Sequence, residues 1–466
     1  MFRRARLAFK HARRRTVASI SRTRLASLME RETRRFTAER PKSRALFERA
    51  RASLLGGVPM NWMVRWSGPF PLFVKEARGA HFTDVDGHRY LDLCLGDTGA
   101  MTGHSPEAVA EAVAAQVRRG VTFMLPTEDS IRVGEELQRR FGLPFWQIAM
   151  TATDANRFAI RLARGITARR LVLVFNGCYH GTVDETFVSL KNGATVAKTS
   201  SFGPPVDPAL TTRAVEFNDV EALERALGPG DVSCVLAEPA MTNVGIILPD
   251  PGYHEALRDI TRRTGTLLII DETHTICAGP GGCTAAHRLE PDMLTIGKPI
   301  AGGLPAAAYG VSRDLADRAA AAIRVEDSDV SGIGGTLSGN ALALAAMRAT
   351  LERVLTPRFY ETTIPLAERF ASGVEAAIRS AGLPWHVVRL GNRAEYQFRP
   401  TPPKNGSEAE AAMDLDLDRF LHLYSLNRGI LMTPFHNMAL IAPDTTPADI
   451  DHHTRVFAEA VQELLD

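Results

Sequence analysis

Four short apolar runs, each ending in a polar or glycine-rich turn, constrain the fold of this chain more than any other feature. They are "RLVLVF" (170–175), "VSCVLAEP" (232–239), "GTLLIIDE" (265–272) and "DMLTIGK" (292–298). Apolar runs rich in β-branched residues that alternate with helical patterns are typical of a parallel sheet covered by helices. Between two of the runs, residues 251–263 are predicted to be helical, because Tyr253, Leu257 and Ile260 recur at helical spacing. We therefore predict an α/β fold with these runs as parallel strands.

Three charged residues stand where the predicted strands end: Glu238, Asp271 and Lys298. Ligands of open α/β sheets bind at the carboxyl ends of the strands, so these residues are candidates for a site. A lysine among small residues can be partly buried, which favours its neutral amine and suggests a lysine that forms a Schiff base. An aspartate is a natural partner for the protonated nitrogen of a pyridine ring. The alternatives are a solvated turn lysine and an aspartate that caps a helix.

The length and charge of the chain limit its organisation and its partners. At 466 residues it is too long for one ordinary core, so we expect a large domain and a smaller one. A formal net charge of +2 indicates neither an acidic nor a basic partner for the whole molecule, and we expect no nucleic-acid partner. No stretch of eighteen apolar residues and no secretory signal occurs, so we expect no membrane insertion.

The basic charge is concentrated at the start of the chain. Residues 1–35 contain twelve Lys/Arg and two Glu. We interpret residues 1–40 as a basic extension that is solvated or partly disordered; an amphipathic helix for an anionic surface is the alternative. The cysteines are odd in number, scattered and without a CxxC pair, which indicates a reducing compartment, the cytoplasm, and no metal site.

Eight motifs occur in the order in which one known family has them. They are "TDVDGHRYLDL" (83–93), "TGHSPEAV" (102–109), "FNGCYHG" (175–181), "EFND" (216–219), "AEPAMTNVGIILPDPGY" (237–253), "IIDETHT" (269–275), "LTIGKPIAGGLPAAAYG" (294–310) and "GGTLSGNALALAA" (334–346). With them, the sequence resembles the class III aminotransferases of pyridoxal-phosphate fold type I, in the branch like glutamate-1-semialdehyde aminomutase. The resemblance covers about residues 50–445.

The resemblance implies a role for each motif residue around the cofactor, pyridoxal 5'-phosphate. Lys298 would form the Schiff base and move the proton during catalysis, and Asp271 would pair with the ring nitrogen. Further cofactor contacts are expected from side chains along the motifs: Tyr179 and Thr273 on the two ring faces, His180 beside Tyr179, and Glu238 in the pocket wall. For Glu238, a structural carboxylate at the strand end is nearly as well supported.

The phosphate site of that family reads Ser-Gly-Thr-Glu-Ala, and here the corresponding stretch is "TATDAN" (151–156). Thr151 and Thr153 keep the hydroxyls, just before the predicted helix "RFAIRLARGI". Ala152 replaces a glycine, which requires a negative φ at that position. Thr336 resembles the threonine that the family sends into the neighbouring subunit's phosphate site, which implies a homodimer with a shared active site. The alternative for Thr336 is the cap of a helix over 338–352.

The substrate side departs from the family pattern. Arg65 has the spacing of an arginine that grips a carboxylate, with a surface arginine as the alternative. Asp97 stands where the branch has an aromatic residue; it could attract a second amino group or cap a turn. His274 could line the substrate pocket or be a satisfied buried histidine. By the resemblance, Phe435 and His436 stand where β-amino-acid aminotransferases carry an arginine, so recognition of a β-amino acid by that arginine is absent.

The resemblance implies an enzyme, a pyridoxal-phosphate-dependent class III aminotransferase that moves an amino group from an amine or amino acid to a carbonyl acceptor. The nearest alternative is a 2,1-aminomutase of the glutamate-1-semialdehyde type, and a binding protein that has lost its activity is a further one. We expect a large cofactor-binding domain with a mostly parallel sheet, and a smaller α+β domain built from both chain ends. The predicted boundaries are 1–40 for the basic extension, 41–85 and 356–466 for the small domain, and 86–355 for the large domain.

Overall fold

The computed structural model of the protein describes residues 20–199, 202–204, 206–322, 331–434 and 436–465. Its α-helices are Arg22–Glu39 (α1), Pro41–Ala50 (α2), Glu107–Val117 (α3), Glu128–Phe141 (α4), Ala152–Thr167 (α5), Val220–Leu227 (α6), Tyr253–Thr264 (α7), Gly282–Ala286 (α8), Arg313–Ala322 (α9), Ala341–Ala349 (α10), Pro357–Ser380 (α11), Gly406–Ala411 (α12), Leu415–Leu426 (α13) and Pro447–Leu465 (α14). Its strands are Val74–Arg78 (β1), His81–Asp84 (β2), Arg89–Asp92 (β3), Phe145–Ala149 (β4), Leu171–Phe175 (β5), Val188–Lys191 (β6), Ala194–Ala197 (β7), Thr212–Val215 (β8), Val232–Ala237 (β9), Leu267–Asp271 (β10), Met293–Ile296 (β11), Ala307–Val311 (β12), His386–Leu390 (β13), Arg393–Gln397 (β14), Ile430–Leu431 (β15) and Met438–Leu440 (β16).

The largest sheet has seven strands in the order β4-β12-β11-β10-β9-β5-β8. Strand β12 is antiparallel to both of its neighbours, and the pairs from β11 through β8 are parallel. The four apolar runs are β5, β9, β10 and β11, and every residue of these strands is buried. The predicted α/β fold with a mostly parallel sheet is therefore confirmed.

Helices supply the apolar faces that cover this sheet. The predicted helix over 251–263 is α7, whose Tyr253, Leu257 and Ile260 are buried as their spacing indicates. Helix α5 contacts β9, β10, β11 and β12 and lies across the centre of the sheet. Its position brings its first turn to the carboxyl ends of β10 and β11, where the site is found.

Two smaller sheets accompany the seven-stranded one. One has the order β1-β2-β3-β15, so it joins strands from the two ends of the chain, and the other has the order β13-β14-β16. Helices α11 and α14 pack against each other beside the second sheet. This is the expected smaller α+β layer built from both chain ends; the exact domain boundaries stay predictions.

The prediction of a solvated or partly disordered N-terminal extension is wrong for residues 20–40. Helix α1 packs against α13, and one of its faces is buried through Leu25, Leu28, Glu32 and Phe36. Arg40, only 2% exposed, donates to Tyr90 Oη at 3.0 Å and to Asn427 Oδ1 at 3.1 Å. The many arginines had indicated exposure to solvent, but the apolar residues between them pack against α13, near the C-terminal end of the chain. Residues 1–19, which carry the rest of the basic charge, lie outside the described residues.

Candidate active site

Lys298 begins the turn that follows β11, in a backbone conformation that few side chains adopt. Its φ is 51°, the left-handed region that is unusual for a residue other than glycine. The preceding Gly297 packs against the start of α5: a Cβ on it would lie 3.0 Å from the Cβ of Ala152. The missing side chain therefore lets the lysine turn and the helix start approach each other.

Lys298 lines a cavity of about 550 Å³ at the carboxyl ends of the central strands. One end of the cavity is formed by Thr151, Ala152 and Thr153, and Asp271 lies on its wall. The structure thus brings together the lysine, the aspartate and the threonine motif that the sequence had placed far apart along the chain.

The Lys298 amine contacts Asp97 and His274, two candidate substrate residues for which a turn cap and a satisfied buried histidine were the alternatives. Its Nζ lies 3.0 Å from Asp97 Oδ2 and 2.6 Å from His274 Nε2. Burial would raise the pKa of the Asp97 carboxyl, but its basic neighbours outweigh this and hold that pKa well below its usual range. Burial lowers the pKa of His274 well below its usual value, so its ring is neutral.

The loop that carries Asp97 is strained. Asp97 has φ 50° and Thr98 has φ 84°, although a β-branched side chain strongly disfavours positive φ. Such strain persists only where surrounding contacts impose it and is typical of functional sites. Here the contacts are those of Asp97 with Lys298 and of the buried Thr98 hydroxyl with His274 Nδ1 at 3.0 Å.

Asp271 is the last residue of β10 and is anchored by three donors. His180 Nδ1 and Asn156 Nδ2 each lie 2.9 Å from its Oδ2, and the Thr273 backbone amide donates to Oδ1 at 3.0 Å. Burial would raise the pKa of Asp271, but the bond and charge of His180 hold it well below its usual range. In turn, although burial acts to lower the pKa of His180, the Asp271 carboxylate raises it well above its ordinary value. The carboxylate therefore stays ionised in a fixed orientation.

The threonine motif forms the first turn of α5, so the helix begins earlier than its predicted start after residue 156. Thr151 is the N-cap, and its Oγ1 accepts from the Asp154 amide at 3.2 Å and donates to Asp154 Oδ2 at 2.9 Å. Ala152 is the first helical residue, and the negative φ that its replacement of glycine requires is met. The start of α5 borders the cavity, and the free amides and dipole of a helix start favour an anion there.

The "CYHG" turn closes against the same helix start. Gly181 has φ 81°, and a Cβ on it would lie 2.2 Å from Thr153 Oγ1. The Thr182 amide donates to that hydroxyl at 3.0 Å. Tyr179 lines the cavity and meets Trp62 edge-on, with 5.5 Å between the ring centroids. Burial raises the pKa of Tyr179 to about 12, so the phenol is neutral.

The remaining predicted residues fall into two groups. Thr273 and His274 line the cavity, and Thr273 Oγ1 is buried without a hydrogen-bond partner among the described residues. Glu238, Arg65 and Thr336 are absent from the described lining. Burial raises the pKa of Glu238 to about 7, and its carboxyl accepts a hydrogen bond from the Thr242 hydroxyl.

Arg65 and Thr336 are exposed side chains. Thr336 precedes α10 without capping it, because the cap is Asn340, whose side chain accepts from the Ala343 amide. The helix-cap alternative for Thr336 is therefore wrong. Of the two residues that replace the β-amino-acid arginine, Phe435 lies outside the described residues.

Two polar residues of the site were missed from the sequence. Asn156 joins Asp271 to the neighbouring strand, because its Oδ1 accepts from Thr295 Oγ1 at 2.6 Å. Arg393, at 1% exposure, donates from Nη2 to Thr98 Oγ1 at 2.5 Å and to His274 Nδ1 at 3.0 Å. Asn156 closes the "TATDAN" motif and could have been suspected there, whereas nothing in the sequence around Arg393 marks it.

The cavity fits pyridoxal phosphate on the observations above. It offers a lysine for the aldehyde carbon, an ionised carboxylate for the ring nitrogen, a helix start for the phosphate and an unpartnered buried hydroxyl, Thr273 Oγ1. The sheet order and this site define a pyridoxal-phosphate enzyme of fold type I. The chain belongs to the class III aminotransferases: the family model described as Aminotransferase class-III matches residues 62–459.

Individual relatives agree with this assignment. The chain is 37% identical over 437 residues to a glutamate-1-semialdehyde 2,1-aminomutase of Sorangium cellulosum, covering 90% of this chain and 96% of the relative. It is 50% identical to a glutamate-1-semialdehyde-aminomutase from Pseudomonas aeruginosa PAO1, whose crystal structure superposes with a TM-score of 0.94 over 96% of this chain and all of that one. An omega-transaminase from Sphaerobacter thermophilus is 28% identical, with a TM-score of 0.82 over 91% of this chain and 98% of that one.

The comparisons therefore agree with the predicted family, fold, enzyme class and cofactor. A variant of the Pseudomonas aeruginosa protein, 49% identical to this chain, has been crystallised in complex with PMP. In the part of the chain that the structure describes, no helix is both long and apolar enough to cross a membrane.

Proposed function

We propose that the protein is a transaminase in which Lys298 carries pyridoxal phosphate and moves the proton of each half-reaction. The observation that carries this proposal is the placement of Lys298 and Asp271. Asp271 ends β10, Lys298 begins the turn after the adjacent parallel strand β11, and both face one cavity together with the start of α5. A neutral lysine amine is a suitable base for a proton on the substrate carbon next to nitrogen.

The other residues hold the cofactor so that this proton transfer can occur. When bound, the cofactor supplies an electron sink, which is effective while its ring nitrogen is protonated. The fixed Asp271 carboxylate would hold that proton, since His180 and Asn156 keep its oxygens in place. Thr151, Thr153 and the amides of the first turn of α5 would bind the phosphate.

The substrate side favours an amine with an apolar body. Asp97 is the carboxylate beside the lysine, and Met60, Trp62 and Trp66 line the same cavity. Asp97 could receive the ammonium of an incoming donor as that donor replaces Lys298. The exposed Arg65 is outside the lining, so in this proposal a carboxylate grip by Arg65 would require the loop that carries it to close.

The second candidate is an intramolecular 2,1-aminomutase that acts on an amino-aldehyde. It is favoured by the names of the relatives, several of which are glutamate-1-semialdehyde 2,1-aminomutases. Asp97, which by the resemblance stands where the branch has an aromatic residue, favours the transaminase. The two candidates use the same lysine and differ in whether the carbonyl intermediate leaves the site.

We also propose a cytoplasmic homodimer that shares its active sites and neither binds nucleic acid nor inserts into a membrane. Exposed apolar side chains support the dimer: Val117 (53% exposed), Met124 (78%), Leu125 (72%), Ile131 (61%) and Leu337 (53%). The Ala341 amide donates to Val121 O at 2.9 Å, which ties the segment with Met124 and Leu125 to the one with Thr336. A second copy on this surface would carry Thr336 toward the partner's phosphate site. The five cysteines are buried and unpaired, which supports a reducing compartment.

The transaminase proposal is tested by adding amines and amino acids to the cofactor-saturated protein without an acceptor. Loss of the visible cofactor band, with one free carbonyl product released per site, supports transamination and identifies the donor class. If the band survives every donor but an amino-aldehyde is isomerised without net carbonyl release, the aminomutase replaces it. A Lys298→Ala variant is the matched control and should show neither response.

A further inference from the structure

Behind the Lys298 amine lies a chain of hydrogen bonds that ends at a buried arginine. Arg393 Nη2 is 3.0 Å from Nδ1 of His274, and Nε2 of the same ring is 2.6 Å from Lys298 Nζ. Arg393 lies on β14, which belongs to the three-stranded sheet. These hydrogen bonds therefore connect the three-stranded sheet to the reactive lysine through the imidazole ring of His274.

The direction of these bonds follows from the donor chemistry of the groups. An arginine guanidinium has only donors and stays charged in proteins, so Nδ1 of His274 must accept from Arg393. The Thr98 hydroxyl, 3.0 Å from the same Nδ1, can donate to it as well. In a neutral imidazole one nitrogen accepts and the other carries hydrogen, so the His274 proton lies on Nε2.

An Nε2–H group directed at Lys298 selects the state of the amine. A protonated lysine has three donors and no acceptor, so it cannot receive a hydrogen bond at 2.6 Å. A neutral amine has a lone pair that can receive it, and one of its own hydrogens can still point to Asp97 Oδ2 at 3.0 Å. The observed contacts are thus satisfied together by the neutral amine.

We propose that Arg393 is a positioning residue: by donating to Nδ1 of His274 it makes that ring present Nε2–H to Lys298, and so selects the unprotonated amine whenever the lysine is not linked to the cofactor. The inference rests on the proposed role of Lys298. In that role the lysine must accept a proton from the substrate carbon after the substrate has displaced it, which a neutral amine can do.

Other charged groups around the amine do not provide this selection. Among the described residues, the titratable groups that face this part of the cavity are Asp97, His274, Tyr179, Cys94, Asp271 with His180, Arg393, and His436 with its ion-pair partner Glu395. Asp97 alone would favour the ammonium form by its charge. His274 is the ring in contact with Nζ, and its tautomer is set by Arg393 and Thr98.

The first test reads the tautomer directly in the unmodified, cofactor-free full-length chain. The protein is labelled with ¹⁵N-histidine, and the His274 signals are assigned by their loss in His274→Met. We expect the ¹⁵N shifts of His274 to show hydrogen on Nε2 and none on Nδ1 near neutral pH. A proton on Nδ1 would overturn the proposal, and this test does not depend on any variant of Arg393 folding.

The second test measures the amine itself by competitive acylation with acetic anhydride, followed by peptide mass spectrometry. Exposed Lys75 serves as the internal reference for reagent dose. Near pH 7, Arg393→Met and His274→Met should each slow Lys298 acylation about tenfold, as expected for loss of one hydrogen bond of ordinary strength. Arg389→Met, an exposed arginine on β13 that pairs with Glu368, is the matched control and should have no effect.

The double variant separates positioning from simple charge. If Arg393 acts through His274, Arg393→Met adds no further slowing in the His274→Met background. An equal slowing in both backgrounds would mean that only its charge matters and would overturn the proposal, as would unchanged acylation in Arg393→Met. Neither test uses cofactor or turnover, so a failure here is distinguishable from a failure of the proposed transaminase function.

Discussion

The contribution of Asp271 to cofactor binding can be isolated by making Asp271→Asn in a Lys298→Ala background. Without the lysine no covalent link forms, so the affinity for pyridoxal phosphate becomes an equilibrium quantity. The Asp271 carboxylate is fixed by donors from His180, Asn156 and the Thr273 amide, at 2.9, 2.9 and 3.0 Å. Asparagine keeps the shape of the side chain but removes its charge.

The size of the effect follows from the bond that is lost. A hydrogen bond between charged groups contributes about 1.5–3 kcal/mol, against about 0.5–1.5 kcal/mol for a neutral one. The Asp271 carboxylate is already desolvated and oriented, so little of this is spent on ordering it. The difference is about 1–1.5 kcal/mol, and each 1.4 kcal/mol is a factor of ten, so we predict that the dissociation constant rises about fivefold to tenfold.

The assay is equilibrium titration of the cofactor-free Lys298→Ala protein with pyridoxal phosphate, followed by absorbance. The matched control is Asp231→Asn in the same background, because Asp231 pairs with Arg213 at the surface, far from the cavity. Circular dichroism checks that both variants remain folded. A dissociation constant within twofold of that of the Lys298→Ala parent would refute the assignment of Asp271 to the ring nitrogen.

Two further predictions concern stability and assembly. Burial lowers the pKa of His453 to about 3. Below about pH 6.5 the His453 ring is therefore protonated in the unfolded chain but not in the folded protein, and near pH 5 this lowers the free energy of unfolding by about 2 kcal/mol. His453→Phe, beside the Phe370 ring 4.5 Å away, should therefore reduce the loss of Tm between about pH 7.5 and pH 5 in calorimetry; an unchanged loss would contradict this. Leu125→Asp should give a monomer in sedimentation. It should also weaken cofactor binding, because Thr336 would no longer reach the phosphate site of the partner subunit. Leu415→Asp is the control, because Leu415 is an exposed leucine on α13. A dimeric Leu125→Asp protein would contradict the proposed interface.

The central sheet and the core of the site could be predicted because their signals are local. Each buried strand is a continuous apolar run, and parallel strands place their carboxyl ends at one edge. Asp271 and Lys298 stand directly at such ends, so their proximity follows from the strand pattern alone. The motif resemblance added their chemical roles to that geometry.

The parts that could not be predicted depend on contacts between distant segments. Arg393 bonds Thr98 across 295 positions, and Arg40 bonds Asn427 across 387. Neither arginine is distinguished by its neighbours in the sequence. The burial of each can be explained only when the positions of its hydrogen-bond partners in the fold are known. For the same reason, the first helix was predicted to be solvated. Its apolar face is covered by α13, which lies near the C-terminal end of the sequence.

The central claim, that Lys298 carries the cofactor, is tested most directly by reducing the cofactor-loaded protein with borohydride and mapping the fixed label by mass spectrometry. The tryptic peptide over 289–313 contains Lys298 as its single lysine, among seven in the whole chain. We predict that the reduced pyridoxyl-phosphate group is found on this peptide, at Lys298, in nearly every site. A label on another lysine, or a loaded and catalytically active protein that reduction leaves unlabelled, would contradict the claim.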